Sequence, residues 1–361
     1  LGVGDKRTKY QWNIDAVKTL KKIESEGRSA TEEEQKILSK YVGWGGLSEV
    51  FDPSKTSWNR EYKELQNILT DSEYSAASES TLTAYYTQPV VIKAIYEALH
   101  NMGFEKGNIL EPSMGTGNFF GLLPKAFEKS KLYGVEKDSL TGRIAQQLYP
   151  NATVKVCGYE ESNYSDSFFD VAVGNVPFGN FQVYDRQYNK LHFMIHDYFF
   201  AKTVDQLRTG GIMAFITSSG TMDKENSTAR KYLAERCDLL GAIRLPNNAF
   251  KANAGTEVTS DIIFLKKRET LNPNIESWVD VSTDQNGLTY NSYFVDHPEM
   301  VLGTMKEVSG QFGMTLTCEP DTETSLEEQL RSAIKNINGS YEETVLTTND
   351  NDLDNVDETV H

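Results

Sequence analysis

The feature that most constrains this chain is a repeated alternation of short apolar runs and amphipathic segments between about residues 85 and 268. Buried strands are predicted at NILEPS, LYGVE, ATVKVCG, FDVAVGN, GIMAFITS, LLGAIRLP and TSDIIFLKK, because each contains a short, mostly apolar run. Segments such as LTGRIAQQLYP and STARKYLAERC lie between them and are amphipathic. The alternation predicts an α/β fold in which helices cover both faces of a parallel, doubly wound sheet.

The pattern changes on both sides of this alternation, which divides the chain into four regions. We predict an N-terminal helical accessory region, a core, a strand-rich appendage and an acidic, flexible tail, at residues 1–80, 81–270, 271–318 and 319–361. In the first region, Thr31 and Glu34 have the spacing of a capping box that starts the helix TEEEQKILSKYV, and GWGG ends it. One further helix is predicted near Leu326–Ile337.

The charge of the chain is concentrated at its C-terminal end. The last 43 residues hold twelve acidic residues against Arg331 and Lys335, a net charge of −10, which leaves −6 of the total of −16 for the rest. Acidic, aromatic-poor ends are usually solvated tails. Phosphate contacts normally need a basic face, so any DNA-binding surface of this chain must be local.

No apolar run approaches the roughly 20 residues that span a bilayer, and the N-terminal residues lack the apolar stretch of a secretory signal. We therefore expect a cytoplasmic protein without a membrane partner. The three cysteines are far apart and do not suggest disulfides or a metal site. His192 and His196 have i, i+4 spacing but no Glu-x-x partner, so we assign no metal. Because the chain begins with Leu, we expect it to be part of a longer protein.

The segment ILEPSMGTGNFFG carries the strongest local signal for a ligand. It follows a predicted strand that ends at Leu110, and Gly115 and Gly117 allow a tight turn and close approach of a ligand to the backbone. Asn118 is expected to open a helix whose amide groups favour electronegative atoms. Glu136, nineteen residues after Gly117, ends the second strand, where an acid accepts hydrogen bonds from both ribose hydroxyls. The spacing predicts a cofactor that carries adenosine, while the lack of a Lys-Ser/Thr ending disfavours a phosphate loop.

A second signal is the sequence NVPF, residues 175–178, directly after the apolar run FFDVAVG. The carboxyl end of a strand is where open α/β sheets bind their ligands. Taken alone, NVPF also fits a structural turn with a buried Phe.

Together with further motifs, these segments resemble the ordered motifs of S-adenosylmethionine-dependent N6-adenine DNA methyltransferases. The motifs are YYTQP (85–89), LEPSMGTGNF (110–119), GVEKD (134–138), GNVPF (174–178), the FF pair before LRTGGIMAFI, and LPNNAF…VTSDIIFLKK. Their order is similar to that of type I modification subunits. The flanks ATEEEQKILSKYVGWGGLSEVFD and NSYFVDHPEMVLG resemble the methylase module of large methylase-helicase proteins of phages and conjugative elements.

The resemblance implies a Rossmann-like methyltransferase fold whose sheet is mostly parallel with an antiparallel last strand. It also implies S-adenosylmethionine as the cofactor and double-stranded DNA, with the target adenine flipped out, as the substrate. A helicase or target-recognition segments outside this chain are implied as partners.

Residue roles follow from the same resemblance. The implied cofactor-binding residues are Thr87, Glu111, Gly115 and Gly117 near the methionine part, Glu136 at the ribose, and Phe199 along the pocket. The implied catalytic residues are Asn175, Val176, Pro177 and Phe178, and Phe250 is implied to stack on the other face of the target base. Phe199 and Phe250 also fit simple core positions.

Three positions depart from the pattern of this family. Val176 replaces the first Pro of the catalytic motif, and Lys137 stands where an apolar contact to the cofactor adenine is usual. Tyr159 stands where an Asp often accepts the exocyclic amine of the cofactor, and its neighbour Glu160 is our alternative acceptor.

The chemistry of adenine explains why NVPF suits such a reaction. The lone pair of the N6 amine is delocalised into the ring, so a catalyst must accept both hydrogens and favour a tetrahedral nitrogen. Asn175 offers a neutral carbonyl oxygen, and the backbone carbonyl of Val176 is a second acceptor. Pro177 stiffens the turn, and Phe178 offers a flat face to an extruded base.

Three classes of function remain open from the sequence. The first is N6-adenine methylation of DNA. The second is methylation of a glutamine side chain in a protein, because similar motifs serve that planar amide. The third is a catalytically idle module that binds a cofactor or a partner, for which the departures at Val176 and Tyr159 speak.

Overall fold

A computed structural model of the chain describes residues 4–81, 87–250, 258–310 and 313–343. Its largest element is a seven-stranded sheet built from the predicted core. The strands of this sheet are β1 (Asn108–Glu111), β2 (Lys131–Glu136), β3 (Thr153–Val156), β4 (Phe169–Asn175), β5 (Leu207–Ser218), β6 (Cys237–Leu245) and β7 (Ser260–Lys267). Two hairpins follow, made of β8 (Val281–Thr283) with β9 (Thr289–Asn291), and β10 (Gly303–Gly310) with β11 (Gly313–Pro320).

The described helices lie before, between and after these strands. They are α1 (Lys6–Ser25), α2 (Glu32–Leu38), α3 (Asn59–Ile68), α4 (Asp71–Ser80), α5 (Pro89–Asn101), α6 (Asn118–Gly121), α7 (Ser139–Leu148), α8 (Ile195–Gln206), α9 (Gly220–Asp223), α10 (Thr228–Arg236), α11 (Ser292–Asp296) and α12 (Leu326–Ala333). None of these helices is long and apolar enough to cross a membrane.

The order of strands in the large sheet is β3-β2-β1-β4-β5-β7-β6. β1 to β5 are mutually parallel, and β7 is antiparallel to both of its neighbours. The chain moves outward from β1 to β3, then returns to β4 and moves outward in the other direction. Because crossovers between parallel strands are right-handed, this reversal puts helices on opposite faces of the sheet. The predicted doubly wound, mostly parallel sheet with an antiparallel last strand is confirmed.

The N-terminal helices form a layer with its own hydrophobic core around the buried Trp44. Leu140 and Ile144 of α7 belong to this same core, so the layer packs against the outside of the sheet domain. Arg143 adds ion pairs from α7 to Glu24 and Glu73. The accessory layer is therefore attached to the helix that follows β2.

The sequence signals at α2 hold in part. Thr31 and Glu34 form the predicted capping box. The helix ends at Leu38, four residues earlier than the predicted segment. Gly43 and Gly46 then adopt φ of 68° and 72°, a left-handed conformation that glycine adopts without strain. This turn places Trp44 in the core of the layer.

The segment after β7 contains the strands β8 to β11 and is joined to the core through buried polar groups. Asn291 Nδ2 donates to the carbonyl oxygens of Met222 and Trp278, each at 2.8 Å. Arg230, which is 1% exposed, donates to the carbonyl oxygen of Val279 at 2.6 Å. The bonds to Met222 and from Arg230 tie the appendage to helices α9 and α10, which follow β5.

The predicted acidic tail is not a tail over its first part. Residues 319–343 include the end of β11 and helix α12, which packs against α5. Leu330 of this helix is 1% exposed, and Tyr341 packs edge-on against Phe104 with ring centroids 5.0 Å apart. The prediction of a tail rested on net charge, which does not reveal the apolar face of α12. Residues 344–361 of the predicted tail lie outside the described residues.

Candidate functional site

Two polar residues end adjacent strands where the strand order reverses. Glu111 ends β1 and Asn175 ends β4, and these strands are paired side by side. Gly174 has a φ of 155°, and a Cβ there would lie 3.7 Å from Glu111 Cγ. The carboxyl edge at such a reversal is the ligand-binding position of open α/β sheets. The predicted cofactor and catalytic segments are thus neighbours in the fold.

The glycine-rich turn lies on this edge. Gly115 and Gly117 have φ of 55° and 83°, in the left-handed region that a side chain disfavours. A Cβ at Gly117 would lie 2.5 Å from Tyr149 Cε2, whereas a Cβ at Gly115 would meet no atom within 4 Å. Gly117 is therefore required for packing, and Gly115 borders open space. The helix after the turn, α6, has only four residues, so the expected helix N-terminus is a short one.

Glu136 lies at the end of β2 and contacts the glycine-rich turn. Its two carboxylate oxygens accept hydrogen bonds from the amide groups of Gly115 and Asp138, each at 2.8 Å. Burial raises the pKa of Glu136 to about 7, although both amide groups act in the opposite direction. A carboxylate has four lone-pair positions, so two bound amides leave capacity for ribose hydroxyls.

Glu111 is the more deeply buried of the two acids. It is 3% exposed, and its Oε2 has no hydrogen-bond partner among the described residues. Burial, and then the charge of Glu136, raise the pKa of Glu111 well above its ordinary value. A buried, unpaired carboxyl is costly unless a ligand satisfies it. A cationic group bound here would favour its charged form.

Asn175 is oriented by Thr87, the one residue of YYT that the structure describes. Asn175 Nδ2 donates to Thr87 Oγ1 at 3.2 Å. Asn175 Oδ1 is buried and finds no partner within the described part of the chain. A buried acceptor without a donor is the arrangement that a ligand N–H would complete.

The rest of NVPF forms the turn that leaves the sheet. Val176 is 1% exposed and its amide donates to the carbonyl oxygen of Ile216 at 3.0 Å, which continues the pairing of β4 with β5. A proline could not donate this bond. Pro177 and Phe178 are partly exposed at the same edge.

Tyr159 and Glu160 stand where an acceptor for the exocyclic amine of the cofactor is expected. Tyr159 is a core residue. It is 2% exposed, and its hydroxyl donates to Gln206 Oε1 at 2.7 Å and lies 2.9 Å from Thr203 Oγ1. Phe199 packs against the Tyr159 ring with centroids 4.9 Å apart. Glu160 is partly exposed beside Gly158, and its acceptor role stays a prediction.

Phe250 is buried and Lys137 is exposed. Phe250 is 1% exposed and belongs to the main core, so its ring has no free face in this structure. The preceding residue is held by Gln88, whose side-chain amide donates to the carbonyl oxygen of Ala249. Lys137 is exposed. The stacking role of Phe250 therefore requires a movement of its ring.

A polar cluster that sequence reasoning did not assemble lies at the start of α8. His196 and Asp197 are 3% and 6% exposed, and Lys224 Nζ lies 2.8 Å from His196 Nε2 and 3.5 Å from Asp197 Oδ2. Burial lowers the pKa of His196, which favours the neutral ring. His192 is exposed and precedes the helix, so the i, i+4 spacing does not correspond to one helical face. No local sequence signal links Lys224 to this pair.

Curated relatives match large parts of the chain. "Defense against restriction protein B" of Escherichia phage P1 is 29% identical over 268 residues, which is 72% of this chain and 10% of that protein. "Type II methyltransferase M.XamI" of Xanthomonas campestris pv. amaranthicola is 28% identical over 230 residues, which is 57% of this chain and 43% of that protein. The chain thus spans a tenth and less than half of the lengths of these two relatives.

Among the solved structures similar to this chain is a modification subunit of a putative type I restriction enzyme from Vibrio vulnificus. Its TM-score is 0.45, with 17% identity, and the match covers 59% of this chain and 49% of that chain. The sequence profile of N-6 DNA methylases matches residues 68–286, which include the whole seven-stranded sheet, the glycine-rich turn and NVPF. The chain belongs to the N-6 DNA Methylase family.

Proposed function

We propose that this chain transfers a methyl group from S-adenosylmethionine to the N6 amine of adenine in DNA, and that residues 81–270 form its catalytic unit. The observation that carries the proposal is the buried, unpartnered Oδ1 of Asn175 at the reversal point of the sheet. An amine hydrogen is the donor that this neutral acceptor lacks. Membership of the N-6 DNA Methylase family supports the same reaction.

The residues around the glycine-rich turn fit S-adenosylmethionine. Gly115 borders open space, and Glu136 has lone pairs left for ribose hydroxyls. The unpartnered Oε2 of Glu111 suits a positively charged ligand, and the cofactor carries an ammonium and a sulfonium group. When bound, the cofactor supplies an electrophilic methyl group. We assign Thr87 to the same pocket because it orients Asn175.

Asn175 would act on the target amine by accepting one of its hydrogens. The backbone carbonyl of Val176 is our second acceptor, and together they favour a tetrahedral nitrogen whose lone pair can attack. The contact with Thr87 restrains the Asn175 side chain, so less reorganisation is needed in the transition state. Phe178, partly exposed beside this site, offers a face on which the extruded base stacks. Catalysis of this kind depends on positioning and electrostatics rather than on a general base.

The position of Val176 also bears on the idle-module alternative. Its side chain is buried and its amide continues the strand pairing, so the replaced proline leaves an ordered turn. This supports an active site with the same carbonyl acceptor and a different source of rigidity.

Double-stranded DNA with a flipped adenine is the proposed substrate, and we propose that sequence specificity comes from segments outside this chain. "Defense against restriction protein B" is about ten times longer than the matched region, so such segments have room in a protein of that kind. The net charge of the chain is −16, which favours weak binding of the isolated chain to duplex DNA.

The proposal is tested by incubating the chain with S-adenosylmethionine labelled at its methyl group, together with adenine-rich duplex DNA or protein extract. We expect label in N6-methyladenine of the DNA. Asn175→Ala should lower this transfer by about a hundredfold or more, because a donor-acceptor contact to the reacting group is lost, with cofactor affinity nearly unchanged.

Asn151→Ala is the matched control, because Asn151 is exposed and follows α7. It should transfer methyl groups at the wild-type rate. Label in glutamine residues of the extract would replace the proposal by protein methylation. Cofactor binding with no transfer to either substrate would support the idle-module alternative.

A further inference from the structure

The loop that joins NVPF to helix α8 carries unusually exposed aromatic side chains. Tyr184 is 81% exposed and Phe181 is 54% exposed, whereas most large apolar side chains of the described chain are buried. A Cβ at Gly179 would lie 2.7 Å from Phe181 Cε1, so the Phe181 ring packs against the turn just after Phe178. The loop thus begins at the proposed target-base pocket.

Tyr184 is exposed on a backbone that is held firmly. Its neighbour Asp185 accepts hydrogen bonds from Tyr198 at 2.7 Å and from Lys202 at 2.9 Å, both on α8. The carbonyl oxygen of Asp185 accepts bonds from the amides of Tyr188 and Asn189. A side chain on an unanchored loop loses much entropy when it binds, and this anchoring reduces that loss. The loop therefore presents Tyr184 to solvent from an anchored stretch of backbone.

The charge of the loop differs from that of the whole chain. Residues 179–194 contain one carboxylate, that of Asp185, and it is engaged by Lys202. Arg186 and Lys190 follow Tyr184 in the same loop and are exposed. In a chain with a net charge of −16, this is a local surface of opposite sign. Exposed cations in the same loop as an exposed ring suit the phosphates and bases of a nucleic acid.

We propose that residues 179–192 form a DNA-contacting surface and that Tyr184 enters the duplex beside the extruded adenine. The inference rests on the proposed function, because it assigns the loop to the same flipped-base substrate. Extrusion leaves a gap in the base stack, and a flat side chain in that gap offsets part of the lost stacking. Arg186 and Lys190 would contact the flanking phosphates. Tyr184 is a positioning residue for DNA and does not touch the transferred methyl group.

The test uses the full chain at low salt with two fluorescent duplexes of one sequence, one intact and one with an abasic site. An abasic site is a ready-made gap, so wild type should bind it about fivefold to tenfold more tightly than the intact duplex, as expected for one stacked base. Tyr184→Ala should lose this preference, and Tyr184→Phe should keep it because the ring remains.

Leu271→Ala is the control, because Leu271 is 65% exposed and follows β7 at the opposite edge of the sheet. It should keep the wild-type preference, and all variants should keep the wild-type melting temperature. An unchanged preference in Tyr184→Ala, or no preference in wild type, would overturn the inference. A preserved preference for the abasic duplex in a chain that methylates no DNA would reject the proposed function and leave the DNA surface standing.

Discussion

The two halves of the carboxyl edge of the sheet treat buried polar groups differently. At β1 and β4, Glu111 and Asn175 each have a buried oxygen without a partner among the described residues. At β6 and β7, Arg244 and Asp261 are 0% exposed and fully engaged. Arg244 donates to both oxygens of Asp261 and to Asp223, at 2.9 Å in each case.

The β1 and β4 end has the features of a ligand site. The β6 and β7 end is closed by the Arg244–Asp261 pair, which we call a seal. The guanidinium of Arg244 also lies 4.3 Å from the centroid of the Phe294 ring. The backbone carbonyl oxygen of Arg244 accepts a hydrogen bond from the amide of Leu302. The appendage thus covers the β6 and β7 end, where the described Arg244 and Asp261 are paired with each other. At the β1 and β4 end the unmet hydrogen-bonding capacity is retained, which costs stability and provides binding energy for a ligand.

The largest effect is expected for a mutation in the sealed half of the sheet edge, at β6 and β7. Asp261→Ala leaves the buried Arg244 without its bidentate partner, and we expect the free energy of unfolding to fall by about 3–5 kcal/mol. Urea unfolding measures this loss. Asp238→Ala removes an exposed partner of Arg268 and should cost less than about 0.5 kcal/mol. A loss below about 1 kcal/mol in Asp261→Ala would show that the pair is not a seal.

The next effect distinguishes two glycines of the same turn. Gly117→Ala combines a left-handed φ with a Cβ 2.5 Å from the Tyr149 ring. We expect it to lower the free energy of unfolding by about 2–4 kcal/mol. Gly115→Ala has only the backbone penalty of about 1–2 kcal/mol, because its Cβ would face open space. Equal losses in the two variants, measured by urea unfolding, would contradict the packing role of Gly117.

Mutations in the other half of the sheet edge, at β1 and β4, should change the affinity for the cofactor more than the free energy of unfolding. Glu111→Gln should weaken S-adenosylmethionine binding by about 1.5–3 kcal/mol, as expected for a hydrogen bond to a charged group. At pH 5, close to the ordinary pKa of a carboxyl, the free energy of unfolding should change by less than about 1 kcal/mol. Calorimetry and urea unfolding measure the two quantities, and Glu128→Gln, at an exposed position, is the control.

The sign of the pH effect follows from the raised pKa of Glu111. A carboxyl whose pKa is higher in the folded than in the unfolded state loses folding free energy as pH rises above its ordinary value. Glu111→Gln removes this loss, so its stability relative to wild type should be greater at pH 8 than at pH 5. A large loss of stability at pH 8 would mean that Glu111 is a structural residue like Asp261.

The smallest effect is the pH dependence of cofactor binding through Glu136. Its pKa is raised to about 7, and the ionised form is the better acceptor for ribose hydroxyls. Affinity for S-adenosylmethionine should therefore rise between pH 6 and pH 8, by at most about tenfold. Calorimetry in two buffers of different ionisation enthalpy should show proton release on binding. Proton uptake would contradict this assignment.

Much of the fold followed from local patterns. Alternating apolar runs gave the seven strands of the large sheet, since a run of four to eight apolar residues is the signature of a buried strand. The reversal of strand order was not readable from any single segment. The N-terminal layer, with its capping box at Thr31 and Glu34, was also a local signal. The docking of α12 was missed because net charge describes the exposed face of an amphipathic helix and not its buried face.

The site was predictable in its positions and not in its contacts. The sequence predicted Glu136 and Asn175 at strand ends and Gly115 in the turn after a strand, and the structure brings them to one edge. The burial of Phe250 and the orientation of Tyr159 toward α8 depend on packing between distant segments. The cluster of His196, Asp197 and Lys224 depends on such packing as well.

The sequence by itself determined the strand and helix alternation, the glycine positions that need a left-handed backbone, and the placement of NVPF at a strand end. Periodicity and glycine spacing act over a few residues, so they can be read from a short window. Only the tertiary structure decided which polar atoms are paired. Asn175 meets Thr87 across 88 residues of chain, and its carbonyl oxygen remains unpaired because no other described side chain or amide reaches it. Hydrogen-bond satisfaction depends on three-dimensional neighbours, and these are set by the packing of the whole sheet edge.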